Sequence, residues 1–598
     1  MNRRDCLAAG GLALGSFPAL GSVDHPGTSA TAPKTLRTAF NFAETGFDPA
    51  QVSDLSSNTV NAHIFESPLT YDYLARPVRL RPQTAVALPE VSSDFRRFVF
   101  TLQPGIHFAD DPVFQGRPRE LTAADYVYSI KRFYDPRVKT EHLYQFENAQ
   151  VLGLSALRRR ALATKTPFPY DVEVEGLRAV DRYRFEVRLA QPQPRFIHVF
   201  ASPQLAGALA REVVEAYADD LMAHPVGTGP FMLAHWRRGS FIRLQRNPRF
   251  RPQVFDAEPA PGDDAAQAIA QQLRGRRLPL LDQVEVNIID ESQPRWLAFA
   301  GGELDVLELP QDFAPVAVPG GTLAPHLARR GVQAQQVVSA DVQLTFFNFD
   351  DPVVGGYTSE KVALRRAVAL AYDKAAEIRL ARGGQGILAQ SMIVPHTYGY
   401  DAALKSAMSD TDLTAARALL DVYGYLDRDG DGWREQPDGQ PLVLRLACLT
   451  DQRTRRLNEL WKKCMDALGV RMRFEPGQFG ELIKRSLAGQ LMMWGFAWTA
   501  TAPDGDFFLG LAYGPNAEQS NDARFRLAAF DRVYERQRAL PDGPERLAAM
   551  REATRLMLAY QPYIAHNHRI VADLTQARVR GYRRHPFTRD WWRYTDVA

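Results

Sequence analysis

Four aspartates in one short stretch have the spacing of a metal-binding loop. They are Asp427, Asp429, Asp431 and Asp438, with Gly432 following the third. In a calcium loop, acids at positions one, three, five and twelve converge on the ion, and the glycine at position six makes the sharp turn. The last acid here is an Asp instead of the usual Glu, and Pro437 precedes it.

The segment after this loop also favours a simpler interpretation. Residues 442–449 have the pattern of a strand, whereas a helix would follow an EF-hand loop. A hairpin with Asx turns accounts for the same aspartates without a metal. We therefore expect a structural calcium ion at most, and no other cofactor.

Motifs of catalytic and nucleotide-binding sites are missing from the sequence. It contains no G-x-S-x-G, H-E-x-x-H or G-x-x-x-x-G-K-[ST]. The glycine-rich residues 227–230 are too few to hold a pyrophosphate, and Pro230 removes an amide donor. His566 and His568 would share one side of a strand, but no third ligand is near them in sequence, which favours a structural pair. We expect no enzymatic activity, although a hydrolase assembled from distant segments stays open.

Strands and helices alternate along the chain and must position any such site. The strand patterns cover residues 98–102, 183–189, 281–289, 341–349 and 442–449. The helical patterns cover residues 122–134, 358–378, 415–423 and 457–468. Thr122 and Asp125 have the spacing of a capping box at the start of the first helix. The mixture predicts an α/β or mixed α+β protein.

The composition is that of a large globular protein. The chain has 598 residues, of which 45% are hydrophobic and 24% charged, and its formal net charge is +3. These values exclude a disordered, collagen-like or coiled-coil chain, and the length predicts more than one lobe. Because no long basic run is present, nucleic acid is not an expected partner. The cysteines allow at most one disulfide in the mature chain, between Cys448 and Cys464.

Residues 1–21 have the pattern of an export signal. Arg3 and Arg4 precede an uncharged apolar run over residues 7–20, which is too short to span a bilayer. The paired arginines resemble a twin-arginine signal, with Cys6 at the usual Phe position. Small residues predict cleavage near Gly21, and no lipoprotein cysteine follows. We expect export to the periplasm of a Gram-negative cell.

An ordered series of segments carries a family resemblance. The segments are IFESPLT at 64–70, LTAAD at 121–125, HPVGTGPF at 224–231, RNPRF at 246–250, GELDV at 302–306, LRRA at 364–367 and ALL at 418–420. Their order resembles the family 5 extracellular solute-binding proteins of ABC importers, which bind oligopeptides and dipeptides. The resemblance covers nearly the whole mature chain. Extra residues around 154–169 and 253–277 resemble the long Yej-type peptide and microcin binders.

The resemblance implies the two-lobed periplasmic binding protein fold (type II, cluster C-like) with an extra inserted domain. Lobe I would comprise residues 36–65, 195–339 and 564–598. The inserted domain would be residues 66–194, and lobe II residues 340–563. Crossings near Ala340 and Ile564 would form the hinge, and lobe closure would bury the ligand.

The resemblance also assigns candidate ligand-binding residues. These are Glu66, Asn348, Trp494, Trp498, Thr499, Thr501 and Asp504. In peptide-binding relatives, an Asp three positions after a Trp pairs with the peptide's α-ammonium, and Thr501 stands at that position here. Asp504 or Glu66 could supply the missing charge, but an Asx turn at Asp504 is the stronger interpretation. Alternatively, the ligand is not a standard free-amino peptide.

Aromatic residues alternate just before this loop. Trp494, Phe496 and Trp498 would face one side of a strand. Core packing is favoured for Phe496, whereas core and cleft wall are equally weighted for Trp498.

Together these features predict a periplasmic solute-binding component of an ABC importer. It would capture a peptide-like or other small organic solute and deliver it to permease subunits in the inner membrane. We expect a monomer. A secreted hydrolase, and a binding subunit of a sensor or chaperone system, are the alternatives.

Overall fold

The computed structural model describes residues 32–218 and 220–598. The predicted export signal at residues 1–21 lies outside this part of the chain. Residues 34–598 form one unit, and the description below concerns that unit.

The strands divide among several sheets. In chain order they are β1 (Thr35–Phe40), β2 (Leu69–Tyr71), β3 (Leu80–Pro82), β4 (Glu90–Val91), β5 (Arg97–Thr101), β6 (Leu177–Ala179), β7 (Arg184–Arg188), β8 (Phe231–Arg237), β9 (Phe241–Arg246), β10 (Gln253–Val254), β11 (Arg277–Leu278), β12 (Gln283–Ile288), β13 (Val306–Glu308), β14 (Gln333–Val338), β15 (Asp341–Phe347), β16 (Gly386–Leu388), β17 (Val443–Cys448), β18 (Arg471–Pro476), β19 (Met493–Thr499), β20 (Tyr563–Thr575), β21 (Val579–Arg580) and β22 (Asp596–Val597).

Helices cover the faces and edges of these sheets. In chain order the α-helices are α1 (Leu55–Ile64), α2 (Ala123–Arg132), α3 (Leu143–Ala149), α4 (Leu154–Thr164), α5 (Pro203–Ala206), α6 (Arg211–Ala216), α7 (Asp264–Leu273), α8 (Ser292–Ala300), α9 (Ala314–Ala317), α10 (Pro325–Ala328), α11 (Ser359–Ala371), α12 (Lys374–Ala376), α13 (Leu413–Val422), α14 (Gln452–Leu468), α15 (Phe479–Leu487), α16 (Asp506–Gly510), α17 (Ala528–Ala539) and α18 (Pro544–Tyr560).

Three of the sheets contain four or more strands. A four-stranded sheet in the order β1-β12-β9-β8 belongs to the first lobe, and another in the order β4-β5-β7-β6 belongs to the inserted segment. The largest sheet runs β13-β20-β15-β19-β17-β18, with β14 and β16 also paired to β20. The predicted mixed α/β class is confirmed.

The long strand β20 serves both lobes. Its first half pairs with β15 from Tyr563 to Asn567, and its second half pairs with β14 from Ile570 to Thr575. The chain also crosses at Ser339–Ala340, between β14 and β15. We predicted crossings near Ala340 and Ile564, and β20 changes partner between Asn567 and Ile570. The predicted domain limits themselves stay predictions.

Local sequence signals explain several helix boundaries. Thr122 and Asp125 form the predicted capping box at the start of α2. The pattern at 358–378 predicted one helix, but α11 ends at Ala371 because Tyr372 is extended. Asp373 then caps α12, and its carboxylate accepts the amide of Ala376 at 2.7 Å. A π-helical turn, Glu377–Ala381, follows directly.

The two described cysteines, Cys448 and Cys464, are buried and unbridged, so the one possible disulfide is not formed. Among the described residues, no helix combines the length and the apolar character that crossing a membrane requires.

Candidate functional site

The site begins where β15 starts, between the two lobes. Asp341 is fully buried, and it lies opposite Thr499 of β19 in the antiparallel register. On its other side, Arg569 of β20 donates from Nε to the Asp341 carboxylate at 2.7 Å. The end of the candidate ligand strand and the crossing strand therefore meet at one buried acid.

Aromatic side chains form a row along one side of β19, as the alternation predicted. The ring centroids of Trp494 and Phe496 are 4.8 Å apart, and those of Phe496 and Trp498 are 6.0 Å apart. Phe479 extends the row at one end and Phe507 at the other. Trp494 is buried within this row, whereas Phe496 and Trp498 are half-buried. Trp498 is thus the tryptophan of the pair with accessible surface.

β19 and the loop after it carry candidate side chains of two kinds: two that are accessible and one that is buried in contacts within the protein. Thr499 is half-buried and Thr501 is exposed. Asp504, by contrast, is bound by the fully buried Arg546 through two hydrogen bonds of 2.6 and 2.8 Å. It also accepts the amide of Asp506 at 2.8 Å, which is the expected Asx turn. Both of its carboxylate oxygens are therefore occupied.

Glu66 lies in a buried ionic cluster instead of an open cleft. Its side chain is fully buried and accepts from Arg251 at 2.6 Å, Arg593 at 3.4 Å and Gln83 at 3.0 Å. Burial alone would raise the pKa of Glu66, but Arg251 and Arg593 outweigh it and lower that pKa. The carboxylate is already neutralised within the protein.

Asn348 supports the start of the ligand strand. Its amide donates to the carbonyl oxygens of Gly489 at 2.9 Å and Leu491 at 3.0 Å, and the side chain is buried. Its oxygen accepts the amide of Asp350 at 3.0 Å. Asn348 therefore fixes the segment that leads into β19.

Asp522, which the sequence did not single out, lies behind Trp498. Ser486 donates to its carboxylate at 2.5 Å, and the indole N–H of Trp498 lies near the same group. Burial raises the pKa of Asp522 to about 7, against smaller opposing effects of Ser486, Trp498 and Arg524. Tyr563 also faces this carboxyl group, which raises the pKa of that phenol further.

Asp522→Asn tests this raised pKa. A carboxyl group whose pKa is about 7 in the folded protein, against 3.8 ordinarily, binds a proton more tightly when folded. Its contribution to stability is complete below pH 4 and is lost as the pH rises to about 7. We expect the variant to match wild type at pH 4 and to gain about 1–3 kcal/mol at pH 8, measured by chemical denaturation. Equal pH profiles for the two proteins would contradict the assignment.

Arginines also gather near the point where β20 passes between the lobes. They are Arg382, Arg569 and Arg584. The sequence analysis missed them because they come from distant segments. One signal was readable, namely the density of arginines over residues 578–593.

A buried acid anchors the lobe II side of this arginine group. Glu377 accepts from Arg382 at 2.8 Å, from Tyr372 at 2.9 Å and from Asn567 at 2.8 Å. His566 contacts the same carboxylate through Nδ1 at 2.7 Å. His568 contacts the carbonyl oxygen of Asp341 through Nδ1 at 2.7 Å. These contacts support the structural interpretation of the two histidines.

The predicted calcium loop brings together a different set of acids. Carboxylate oxygens of Asp427, Asp429 and Glu435 lie within 4.8 Å of one another. Asp431 instead pairs with Arg471, and Asp438 accepts the amide of Gln440 at 3.1 Å in an Asx turn. Only half of the predicted ligand set converges, so calcium stays a prediction, which metal analysis of the purified protein before and after chelation tests.

Side-chain contacts join predicted lobe II to the other predicted parts of the chain. Arg456 of α14 pairs with Asp312, in predicted lobe I, at 2.7 Å. Arg538 of α17 donates to Gln193 of the inserted segment at 2.8 Å.

Two lobes joined by crossing strands define a binding protein that closes around a solute. The family model for bacterial extracellular solute-binding proteins, family 5 Middle, matches residues 79–520. The chain therefore belongs to this family, as the motif series predicted.

Individual relatives agree with this assignment. Di/tripeptide-binding protein 2 of Pseudomonas aeruginosa (strain UCBPP-PA14) is 26% identical over 577 residues, covering 93% of each chain. The ABC transporter-associated periplasmic binding protein DppA of Helicobacter pylori, in complex with peptide STSA, has a TM-score of 0.75 at 18% identity, covering 94% of this chain and 98% of that one. PBP AgaA from A. tumefacien R10, in complex with agropinic acid, has a TM-score of 0.72 at 19% identity, covering 94% and 99%. These structures confirm the predicted two-lobed fold.

Proposed function

We propose that this protein captures a peptide-like or other small organic solute between its lobes and delivers it to an ABC permease of the inner membrane. The observation that carries the proposal is the meeting of β15, β19 and β20 at the buried Asp341. Thr499 lies opposite this acid, and Arg569 of the crossing strand donates to it at 2.7 Å. Membership of a solute-binding family supports the same role.

Recognition of the solute does not use the ammonium-binding acid of peptide-binding relatives. Thr501 is exposed and carries no charge. The two possible substitutes, Asp504 and Glu66, are saturated by Arg546 and by Arg251, respectively. The protein therefore recognises the solute chiefly through groups of the solute other than a free amino terminus.

The cellular setting follows from the predicted export signal and from the family. Residues 1–21 direct export, and the mature protein acts in the periplasm as a monomer. Its role is binding and delivery, without a chemical step. Membership of a solute-binding family supports a role in which this protein binds the solute and a separate permease transports it.

Two experiments test the proposed function. Mass spectrometry of material that copurifies with the native protein should identify a small organic or peptide-like solute. A peptide mixture incubated with the protein should be recovered intact, and cleaved peptides would show a hydrolase instead. Association with a sensor kinase, and not with permease subunits, would equally contradict the proposal.

Trp498→Ala tests the assignment of the ligand strand. The change removes the accessible indole at the end of the aromatic row and leaves buried Trp494 in place. We expect the ligand-induced rise in melting temperature to fall by at least half, because an apolar wall of the site is lost. Phe479→Ala is the matched control, since that exposed ring lies at the other end of the row. An unchanged shift for Trp498→Ala would contradict the assignment.

A further inference from the structure

The inserted segment, predicted as residues 66–194, is hydrogen-bonded to an arginine of predicted lobe II. Gln193 follows β7, and its side chain is buried. Its amide oxygen accepts from Arg538 of α17 at 2.8 Å, and its amide nitrogen donates to the carbonyl oxygen of Asn148 at 2.8 Å. Arg538 also donates to that carbonyl oxygen, at 3.1 Å. One guanidinium group therefore joins two parts of the inserted segment, α3 and the chain after β7.

A pair of asparagines forms a second contact beside the first. The side-chain amide of Asn148 donates to the side-chain oxygen of Asn516 at 3.0 Å. Asn516 is buried, and it donates in turn to the carbonyl oxygen of Gly510 at 2.9 Å. Because Gly510 is the last residue of α16, this pair connects α3 of the inserted segment with that helix.

Arg195, at the boundary of the inserted segment, makes a third contact. Its guanidinium group donates to the carboxylate of Asp542 at 2.5 Å and to the carbonyl oxygen of Leu540. Both acceptors lie in the turn between α17 and α18. The carboxylate of Asp542 is 57% exposed, so water can replace Arg195 as its partner if the two parts separate.

Both arginines also reach the loop that follows the candidate ligand strand β19. Nε of Arg538 lies 3.8 Å from the carboxylate of Asp506, and Nε of Arg195 lies 3.8 Å from that of Asp504. The backbone amide of Asp506 donates to Asp504 at 2.8 Å, so the two acids belong to one turn. The inserted segment is therefore linked to this loop through two guanidinium groups.

The chemistry of these contacts is that of a joint that can open. Each is a hydrogen bond or an ion pair, and water can satisfy the same donors and acceptors after separation. The net free energy of such a bond is small, although bonds to a charged group contribute more than neutral ones. Contacts of this kind favour one arrangement of two bodies without fixing it permanently.

We infer that Gln193, Arg195 and Arg538 form a latch, through which the inserted segment holds lobe II in the closed position. The inference rests on the proposed function, because it assumes lobes that open and close around a solute. Contacts made only in the closed form shift the equilibrium towards that form by their own interaction free energy. The inserted segment would thereby favour closure without contacting the solute, and it would slow release of the solute.

Spin-label distances in the ligand-free protein test the latch. The labels are attached to cysteines introduced by Arg159→Cys, in the inserted segment, and Arg555→Cys, in α18, where both native side chains are exposed. The protein is first unfolded and refolded to remove any copurified solute. We expect Arg538→Gln and Gln193→Ala each to lower the ratio of closed to open protein by about tenfold, the effect of losing one hydrogen bond to a charged group.

A double-mutant cycle assigns the effect to this pair of side chains. The double variant Gln193→Ala with Arg538→Gln should be about as open as Arg538→Gln alone, because the two residues act through one another. Arg195→Gln combined with Arg538→Gln removes both arginines and should lower the ratio by about a hundredfold. Arg536→Gln is the matched control, since Arg536 lies in the same helix but pairs with the exposed Glu552 of α18 at 2.6 Å. It should keep the wild-type ratio.

Crosslinking at a different contact measures closure when the closed population is small. Asp312 and Arg456 pair at 2.7 Å between predicted lobes I and II. Asp312→Cys and Arg456→Cys provide two thiols that a short bismaleimide can join in the closed form. Adding Arg538→Gln to this protein should slow crosslinking by about tenfold, whereas adding Arg536→Gln should leave the rate unchanged.

Two results would overturn the latch. One is an unchanged distance distribution together with an unchanged crosslinking rate in Arg538→Gln. The other is a lower melting temperature of Arg538→Gln with unchanged distances, which would show a fixed interface that does not open. Because no solute enters these measurements, either result leaves the proposed function intact, and that function has its own readout in the copurifying solute.

Discussion

Replacing Asp504 with Asn is expected to destabilise the protein by about 3–5 kcal/mol. The buried Arg546 donates to both carboxylate oxygens, at 2.6 and 2.8 Å, whereas the Asn amide would offer one oxygen, no charge and an NH2 group facing the guanidinium. The exposed Asp542 would remain as the acidic hydrogen-bond partner of Arg546. Chemical denaturation at pH 7 measures the loss.

A double variant separates the two roles possible for Asp504. Asp504→Ala with Arg546→Met removes the pair together, and it should recover much of the stability because no buried charge is left uncompensated. If Asp504 bound the solute directly, Asp504→Asn would abolish binding while the free energy of unfolding stayed near wild type. That result would show that the carboxylate serves the ligand and not the loop.

Glu66→Gln is expected to lower the free energy of unfolding by about 3–5 kcal/mol, the effect of removing one partner from a buried ion pair. Arg251 and the fully buried Arg593 would face a neutral amide in place of the carboxylate. Because the pKa of Glu66 is lowered by folding, its stabilisation is present above about pH 4.5, the ordinary value, and is lost as the pH falls further. The difference between variant and wild type should therefore narrow below pH 4.5.

Binding measurements complete this test. At a temperature where both proteins are folded, Glu66→Gln should bind the solute as wild type does, since the carboxylate is fully buried. Glu285→Gln, at a partly exposed ion pair with Arg243, is a matched control that should change stability by less than about 1 kcal/mol. Weakened binding by Glu66→Gln with unchanged stability would place Glu66 in the ligand site.

The family and the fold were predictable because they depend on the order of many short motifs. Thr122 and Asp125, for example, carry both a family motif and the capping box that starts α2. The spacing of Trp494 and Trp498 likewise predicted that both side chains lie on the same side of β19. Such features are local in sequence, and local spacing determines them.

The interior partners of the candidate residues were not predictable in the same way. Glu66 meets Arg251 and Arg593 only after three distant segments have packed together. No spacing in the sequence encodes that proximity.

The shared strand β20 has a mechanical consequence. A strand that is hydrogen-bonded to β15 on one side of residue 568 and to β14 on the other cannot let the lobes separate freely. Rotation of one lobe against the other must instead twist this strand, because each half of it is hydrogen-bonded to a different lobe. The pairing of β20 with β15 is already irregular at Gln343–Leu344, where the register shifts. The ion pair of Arg569 and Asp341 lies in this part of the strand, so rotation of the lobes would load that pair as well.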